Sequence, residues 1–534
     1  MGMNGKSFMQ TAGTNLDLKS LQQLLGAENV VLDENERVFF SQDIWIKGKT
    51  ADVVVSPLNT EELVQTVKLI SNAGLTINPR GGGMSYTGGF TPTKSNSAIL
   101  DLSKMNKILE INTEDMYVTV EAGCTWQTLH EALKPLGVRT PFWGPLSGIS
   151  STIGGGLSQN NAFFGAGTQG PSTDSVTSLA VVLADGSLVK TGSAGADGGK
   201  PFFRQYGPDL TGLFLADAGA FGYKAEATLR LIKTPRAEDW ASYNFEMLED
   251  WSAFMAEAGR MGLACELIGF DPNLQRVRME RASLMSDVST LKNVITGQKN
   301  LLKGLKEGAK VAIAGRGYME EVAYSAHMVV EGHSEAEVAA KMATLAELAH
   351  QNNGLKIENS IPKILRSTPF TPLNNILGPK GERWVPVHGI VAMSDGPKCL
   401  ADIEELFEQN KQELDQFGVL TGYLLTTLSN NGYLIEPVFL WPEEINEIHR
   451  RTVEAHVLSK TEKFEPNPDA TAFVGSLRQK VINIFVKYNG VHFQIGRTYP
   501  YRSTRADATG KLVDGIKTLV DEKGVVNPGA LGLG

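Results

Sequence analysis

Apolar positions in the first 50 residues recur at helical spacing, with Leu18, Leu21, Leu24 and Leu25 on one side, until Ser41-Gln42-Asp43 breaks the pattern. The run ADVVVSP then reads as a short buried strand ended by Pro57. Thr60-Glu61-Glu62 opens a helix whose Leu63, Val67 and Ile70 share one face, and Gly74 closes it. LTINP is the next strand, and AILDLSKMNKILEIN and MYVTVEAG continue as strands. WQTLHEALKPLG is a helix stopped by Pro135 and Gly137, and SLAVVLADGSLVKTG is a hairpin turning at Asp185-Gly186. Past Pro235 the pattern changes. Helical stretches such as EAEVAAKMATLAELAHQ and CLADIEELFEQNKQELDQFG are flanked by strand-like AYSAHMVVEG, VPVHGIVAMS and YLLTTLS, which predicts an α+β sheet with helices on one face. The run from Arg281, lysine-rich toward its end, reads as a helical, solvated connection.

Between the strands of the first third lie two glycine-rich loops. In the first, Arg80 precedes Gly81, Gly82 and Gly83, and Met84, Ser85, Tyr86 and Thr87 lead to Gly88-Gly89. Glycine permits positive φ and removes Cβ, so such a loop can fold its amide groups around an anion, here the pyrophosphate of a nucleotide cofactor. The second carries Ser150, Ser151, Thr152, Gly154, Gly155 and Gly156, followed by Gln159, Asn160 and Asn161. A long dinucleotide threaded between the two explains both. Residues 165–170 spell a literal GxGxxG, but no strand precedes it and no helical face follows. A Rossmann site is therefore not expected there, and the segment reads as part of the second loop.

Composition narrows the class. A chain of 534 residues suggests two or three domains, and 42% hydrophobic with 20% charged residues describes a soluble globular protein. A net charge of −9 argues against nucleic acid as a main partner. There is no apolar run of transmembrane length and no signal-peptide core, so a cytoplasmic location is expected. The cysteines at 124, 265 and 399 are too scattered for a metal knuckle or disulfide framework, so no structural metal is expected.

In order and number, VVVSPLNTEELVQTVKLI, RGGGMSYTGG, ILDLSKMNKILEI, VTVEAG, SSTIGGG, LAVVLADGSLVKTG and YGPDLTGLFLADAGAFGYKAEATLRL resemble the FAD domain of the vanillyl-alcohol oxidase / p-cresol methylhydroxylase superfamily. That superfamily also holds the D-lactate and glycolate oxidising flavoproteins. The resemblance implies a two-part FAD-binding domain, residues 1–235 and 486–534, around an inserted α+β cap, residues 236–485. It implies that Arg80, Gly81, Gly82, Gly83 and Ser85 line the pyrophosphate, and that Ser151, Thr152, Gly154 and Gly155 lie along the flavin. Residues 218–223 would approach the adenine, and the turn holding Asn527 would return to the FAD domain. Met84 stands where covalently flavinylated relatives carry histidine, so non-covalent FAD is expected, although a link through His449, His456 or a tyrosine stays open.

For chemistry, Tyr501-Arg502 resembles the pair that binds a substrate phenolate in the phenol-oxidising branch. A guanidinium and a phenol can stabilise an oxyanion, and an arginine can also hold a carboxylate. His388 is a candidate proton acceptor on a cap strand, with His492 similar. Tyr86 could face the flavin edge, Glu436 reads as a salt-bridged core residue or a base, and Phe439 and Trp441 read as core. The aspartate near the flavin in the phenol branch and the His-x-Gly-Asp-Gly metal motif of the lactate branch are both missing. The leading expectation is an FAD-dependent oxidoreductase of phenolic or aryl-alcohol substrates. A D-2-hydroxy acid dehydrogenase, with Arg502 and Arg497 on a carboxylate and His388 as base, is the alternative. A flavin-fold binder without turnover is the third. Oxygen, a quinone or a cytochrome would re-oxidise the flavin, and homodimers are common in the family.

Overall fold

The computed structural model describes residues 16–284 and 322–534. The lysine-rich run beyond Arg281 and the first fifteen residues lie outside these, apart from the end of helix Pro272–Leu284. Three sheets organise the chain. The first has four strands in the order Val30–Val31, Val53–Val55, Ser97–Asp101 and Thr76–Arg80, the last three parallel. Helix Thr60–Asn72 connects the second of these to the fourth and buries Leu63, Val67 and Ile70 completely. Asn59 starts it by accepting from Glu62 N at 2.9 Å, while Glu62 reaches back to Leu58 N at 2.9 Å. Reciprocal capping of this kind satisfies donors that the first helical turn leaves open.

The second sheet is antiparallel, in the order Ile108–Asn112, Tyr117–Glu121, Tyr223–Arg230, Val176–Val182 and Leu188–Lys190. Its last two strands form the hairpin expected at Asp185-Gly186, where Gly186 adopts φ 81°. The third sheet has eight strands. Seven run in the order Leu355–Ile357, Ala237–Phe245, Tyr324–Gly332, Glu266–Phe270, Leu420–Leu428, Gly432–Trp441 and Arg383–Pro386, and Gly389–Ala392 also pairs with Gly432–Trp441. Helices Leu248–Met261, Glu335–Gln351, Gly396–Gln409 and Pro468–Lys487 cover one face with the largest apolar core. Helix Pro272–Leu284 lies on the other face, against Ile268, Phe270, Leu424, Val438 and Leu440.

Alternation along Gly432–Trp441 divides the two environments. Tyr433, Ile435, Phe439 and Trp441 point into the helix-covered core, and Leu434, Glu436, Val438 and Leu440 point the opposite way. Glu436 is thus turned away from the core by strand periodicity alone.

The C-terminal segment returns to the first sheet, where Val526 bridges Ile77 in parallel. Lys517 spends its three donors on Ala220 O (2.8 Å), Val526 O (2.7 Å) and Asp521 Oδ2 (2.7 Å). Residues 165–170 dock the third sheet: Gly165 N donates to Glu266 Oε1 (2.8 Å) and Gly167 N to Cys265 O (3.0 Å). Beside this joint, Glu331 holds Arg139 at 2.5 Å and also Arg366. The literal GxGxxG is therefore a docking turn between sheets and lines neither of the cavities described below. Among the described residues no helix is long and apolar enough to cross a membrane.

Candidate active site

Strand Thr76–Arg80 delivers the chain into the first glycine loop, which packs against the second at backbone contact. A Cβ on Gly82 would overlap the Ser150 carbonyl oxygen, and one on Gly81 would overlap Thr152 Oγ1. Gly83 sits at φ 72° with the Arg80 guanidinium where a side chain would begin. Thr152 caps the short helix Ile153–Gln159 by accepting from Gly155 N at 3.2 Å. Asp43 braces the first loop from outside, taking Gly88 N at 2.6 Å, and burial pushes its carboxyl up to about 6. The cleft so formed is lined by Arg80 to Ser85, Ser151, Thr152, Gly154 to Gly156, Gln159, Asn161, Ala218, Gly219, Gly222 and Lys224.

The electrostatics of this cleft suit an anion. Arg80 is 8% exposed, its Nε has no hydrogen-bond partner, and no ion pair reaches its guanidinium among the described residues. Its nearest compensation is the face of Phe40, 4.6 Å away, and burial lowers its pKa despite the opposing pull of Asp101. A buried cation is normally paired. Gln159 Oε1 and Asn161 Oδ1 also lack protein partners. An unpaired buried guanidinium beside amides that a Cβ would block fits a pyrophosphate, and the unpaired amide oxygens fit the polar edge of a flavin.

Arg80, Gly81, Gly82, Gly83, Met84, Ser85, Ser151, Thr152, Gly154 and Gly155 all line this one cleft. Asn527 does not. It lies beneath, with Nδ2 donating to Gly89 O (2.8 Å) and Ala218 O (2.6 Å), and Oδ1 accepting from Asn78 (2.9 Å) and Arg497 (2.6 Å). It ties the first loop, the 216–219 turn and the C-terminal segment together, holding Ala216 and Ala218 at φ 54° and 48°. At about 1 kcal/mol per buried hydrogen bond, Asn527→Ala is expected to cost about 2–4 kcal/mol. Urea unfolding checks this, and an unchanged midpoint would contradict the clamp.

A second cavity adjoins the first and shares Met84, Pro145, Ser147 and Gln494 with it. Its walls are mainly apolar, including Ile44, Phe163, Leu373, Trp384, Leu424 and Phe493. Three ionisable side chains face in. Tyr86 stands edge-on to Trp384 at 5.8 Å, and its phenol is held well above the usual range by burial and by Glu436, against a hydrogen bond with Gln494. Burial pushes Glu436 up to about 7, Arg278 opposing, and lowers Arg278 to about 10, Glu436 opposing. These two interact through space, yet no salt bridge closes between them, and Glu436 has no hydrogen-bond partner among the described residues.

The remaining candidates lie elsewhere. Arg502 makes a two-pronged ion pair with Asp514, both arms at 2.8 Å, on the surface of helix Asp507–Val520. Tyr501 packs under Arg505, and neither Tyr501 nor Arg502 lines either cavity. Arg497 is committed to Gly88 O, Pro528 O and Asn527. His388 is fully buried behind the wall, stacked 3.7 Å from Phe493 with neither ring nitrogen bonded, and burial holds it well below its usual range. His492 stacks on Tyr499 at 4.1 Å, and its Nδ1 donates to His388 O (2.7 Å). His449 is buried in a capping box with Asn446, and His456 is exposed. The expected salt bridge of Glu436 is not formed.

Arg278 escaped notice in the sequence. Leu274, Val277 and Arg278 share a helical face, so the signal was a charge where the 3.6-residue period calls for an apolar side chain.

Residues 51–192 match the FAD binding domain family. The mitochondrial D-lactate dehydrogenase (cytochrome) 1 of Saccharomyces cerevisiae is 28% identical over 272 residues, 49% of this chain and 44% of that protein. The glycolate oxidase subunit GlcD of Bacillus subtilis is 32% identical over 221 residues, 41% of this chain and 45% of that protein. The chain thus spans under half the length of these curated relatives. A solved structure of p-cresol methylhydroxylase with substrate bound superposes with a TM-score of 0.72 at 17% identity, covering 96% of each chain, which shows a common fold. Residues 51–192 thus match an FAD binding domain, and the fold as a whole is the two-domain one of p-cresol methylhydroxylase.

Proposed function

We propose that this chain is an FAD-dependent oxidoreductase that takes a hydride from a phenolic or aryl-alcohol substrate bound in the second cavity. The observation that carries the reading is the shared wall at Met84, Pro145, Ser147 and Gln494, which sets an aromatic-lined, largely apolar cavity against the cofactor cleft. Residues 1–235 and 486–534 would form the cofactor domain and 236–485 the cap. When bound, FAD supplies a hydride acceptor. The chain's part is binding, orientation and proton handling.

Arg80 and the loop amides would hold the pyrophosphate, with Gln159 and Asn161 on the flavin. Tyr86 stays protonated and can donate to a substrate oxygen, a role the sequence suggested for Tyr501. Glu436 is placed to take the substrate proton. The groups acting on it are Arg278 from the cap helix, Tyr86 from the first loop and Tyr499. The carboxylate is the accepting form and prevails above about 7, so flavin reduction should rise with pH through about 7. Glu436→Gln should flatten that profile and slow reduction by about 100-fold. A profile unchanged in the variant would remove Glu436 from the step.

The residues lining the first cleft include no histidine, cysteine or tyrosine. FAD is therefore expected to be released intact by acid precipitation, leaving a colourless pellet. A yellow pellet would mean a covalent link.

The likeness to a D-lactate dehydrogenase and a glycolate oxidase subunit favours a second reading, in which a 2-hydroxy acid is oxidised. Anaerobic titration of the yellow holoenzyme with paired aryl alcohols and small D-2-hydroxy acids separates the two. Bleaching by the aryl compounds supports the first, and bleaching by lactate or glycolate alone replaces it with the second. A flavin that only dithionite reduces would sink both.

A further inference from the structure

Arg278 and Glu436 are the two strongest charges facing the second cavity, and they have opposite signs. Each is in a medium that penalises its charge, since Arg278 is lowered and Glu436 raised by burial. Pairing with each other would relieve both, as Glu331 does for Arg139 and Arg366 elsewhere in the fold. They do not pair. Arg278 rests over the Phe270 ring at 4.2 Å, from a helix packed on the cavity face of the sheet. Glu436 is turned to that face by strand alternation. A charge kept unpaired in a largely apolar pocket is costly unless a ligand completes it.

We propose that Arg278 and Glu436 form a split recognition pair for a substrate that bears a carboxylate as well as an oxidisable hydroxyl on an aryl or similarly bulky apolar body. The planar fork of Arg278 holds the carboxylate and Glu436 accepts from the hydroxyl. In the reaction Glu436 would accept the O–H proton as the carbinol C–H bond breaks and the carbonyl forms, and bound FAD would supply the acceptor for the hydride released. The carboxylate on Arg278 is unchanged. Arg278 is the sole cation among the residues lining this cavity, and Glu436 would repel a dianion, so a phosphate is disfavoured against a carboxylate. The apolar walls around the pair would stay unfilled by lactate or glycolate, which is why the acid must carry a bulky group.

This inference rests on the second cavity being the substrate site. The test titrates the FAD holoenzyme and reads perturbation of the flavin spectrum, a binding signal independent of turnover. 4-(Hydroxymethyl)benzoate, mandelate and phenyllactate are compared with benzyl alcohol and 4-methylphenol. At least one acid is expected to bind about 30-fold or more tighter than the neutral compounds. Arg278→Met should erase that advantage while neutral compounds bind within about threefold of wild type, and Arg278→Lys should restore part of it. Glu436→Gln should retain acid binding and lose reduction. Equal affinity for acids and neutral compounds, or an Arg278→Met enzyme that keeps the preference, overturns the inference and leaves the oxidoreductase reading standing. Tighter binding of phenylalanine than of phenyllactate overturns the hydroxyl half. A flavin that no compound perturbs refutes the substrate site itself.

Discussion

Replacing Gly82 with alanine is expected to give a folded protein that purifies nearly free of flavin. The added carbon would lie inside the Ser150 carbonyl oxygen, with the carbonyl carbon at 2.8 Å and Ser151 N at 3.4 Å. These are backbone atoms, so no rotamer change relieves the overlap, and the two loops must separate. Overpacking of this sort costs about 1–3 kcal/mol where neighbours can shift. Here the shift falls on the wall of the cofactor cleft. Flavin content per chain should drop below about a tenth of wild type, because even 1.4 kcal/mol is tenfold in affinity and the loop amides lose their convergence as well. Gly515→Ala is the control. It lies in helix Asp507–Val520 with no atom within 4 Å of its Cβ position, and should be neutral or stabilising by up to about 1 kcal/mol. Flavin content measured after identical purification checks both. A Gly82→Ala protein with full flavin would show that the loops are not in the contact described.

Arg80→Met should separate stability from cofactor binding, in opposite directions. In the protein without FAD, Arg80 is a buried charge with ring faces and a distant Asp101 for company. Methionine removes that desolvation cost, so the apoprotein should melt at the same or higher temperature. With FAD, the guanidinium is the charge nearest the loop amides, and truncating one member of a buried charge pair costs about 2–5 kcal/mol. FAD should therefore bind about 30-fold to several-thousand-fold more weakly. Thermal melts of the apoprotein and equilibrium titration with FAD read the two effects. Parallel loss of both would mean that Arg80 holds the loop together and does not serve an anion.

What the sequence made legible was local. Helix Thr60–Asn72 announced itself through Asn59, Glu62 and the spacing of Leu63, Val67 and Ile70. The glycines at 81–83 and 154–156 could be read because close backbone approach excludes other residues, and the structure brings those two loops together. Side-chain direction was not legible. Tyr501-Arg502 looks like an oxyanion pair as a dipeptide, but the turn at Arg502–Thr504 swings the guanidinium to Asp514, twelve residues on. His388 lies in the short link between strands Arg383–Pro386 and Gly389–Ala392, one layer behind Phe493. Glu436 could have been turned the right way by counting alternation from Tyr433 to Trp441. Arg278 needed the knowledge that its helix faces a cavity, which only the packing of Leu274 and Val277 on the sheet reveals. The GxGxxG at 165–170 serves a joint to the cap strand at Cys265-Glu266, a tertiary role no motif encodes.

One FAD is proposed to lie across both glycine loops, with its pyrophosphate at Arg80 and its flavin toward Met84 and Gln494. Titrating the apoprotein with FAD and, separately, with FMN while following flavin fluorescence tests it most directly. Saturation is expected at one FAD per chain, with FMN bound more weakly by about 100-fold or more, since FMN has no pyrophosphate bridge or adenylate to occupy the rest of the cleft. A protein that takes up no FAD, or that binds FMN equally well, would contradict it.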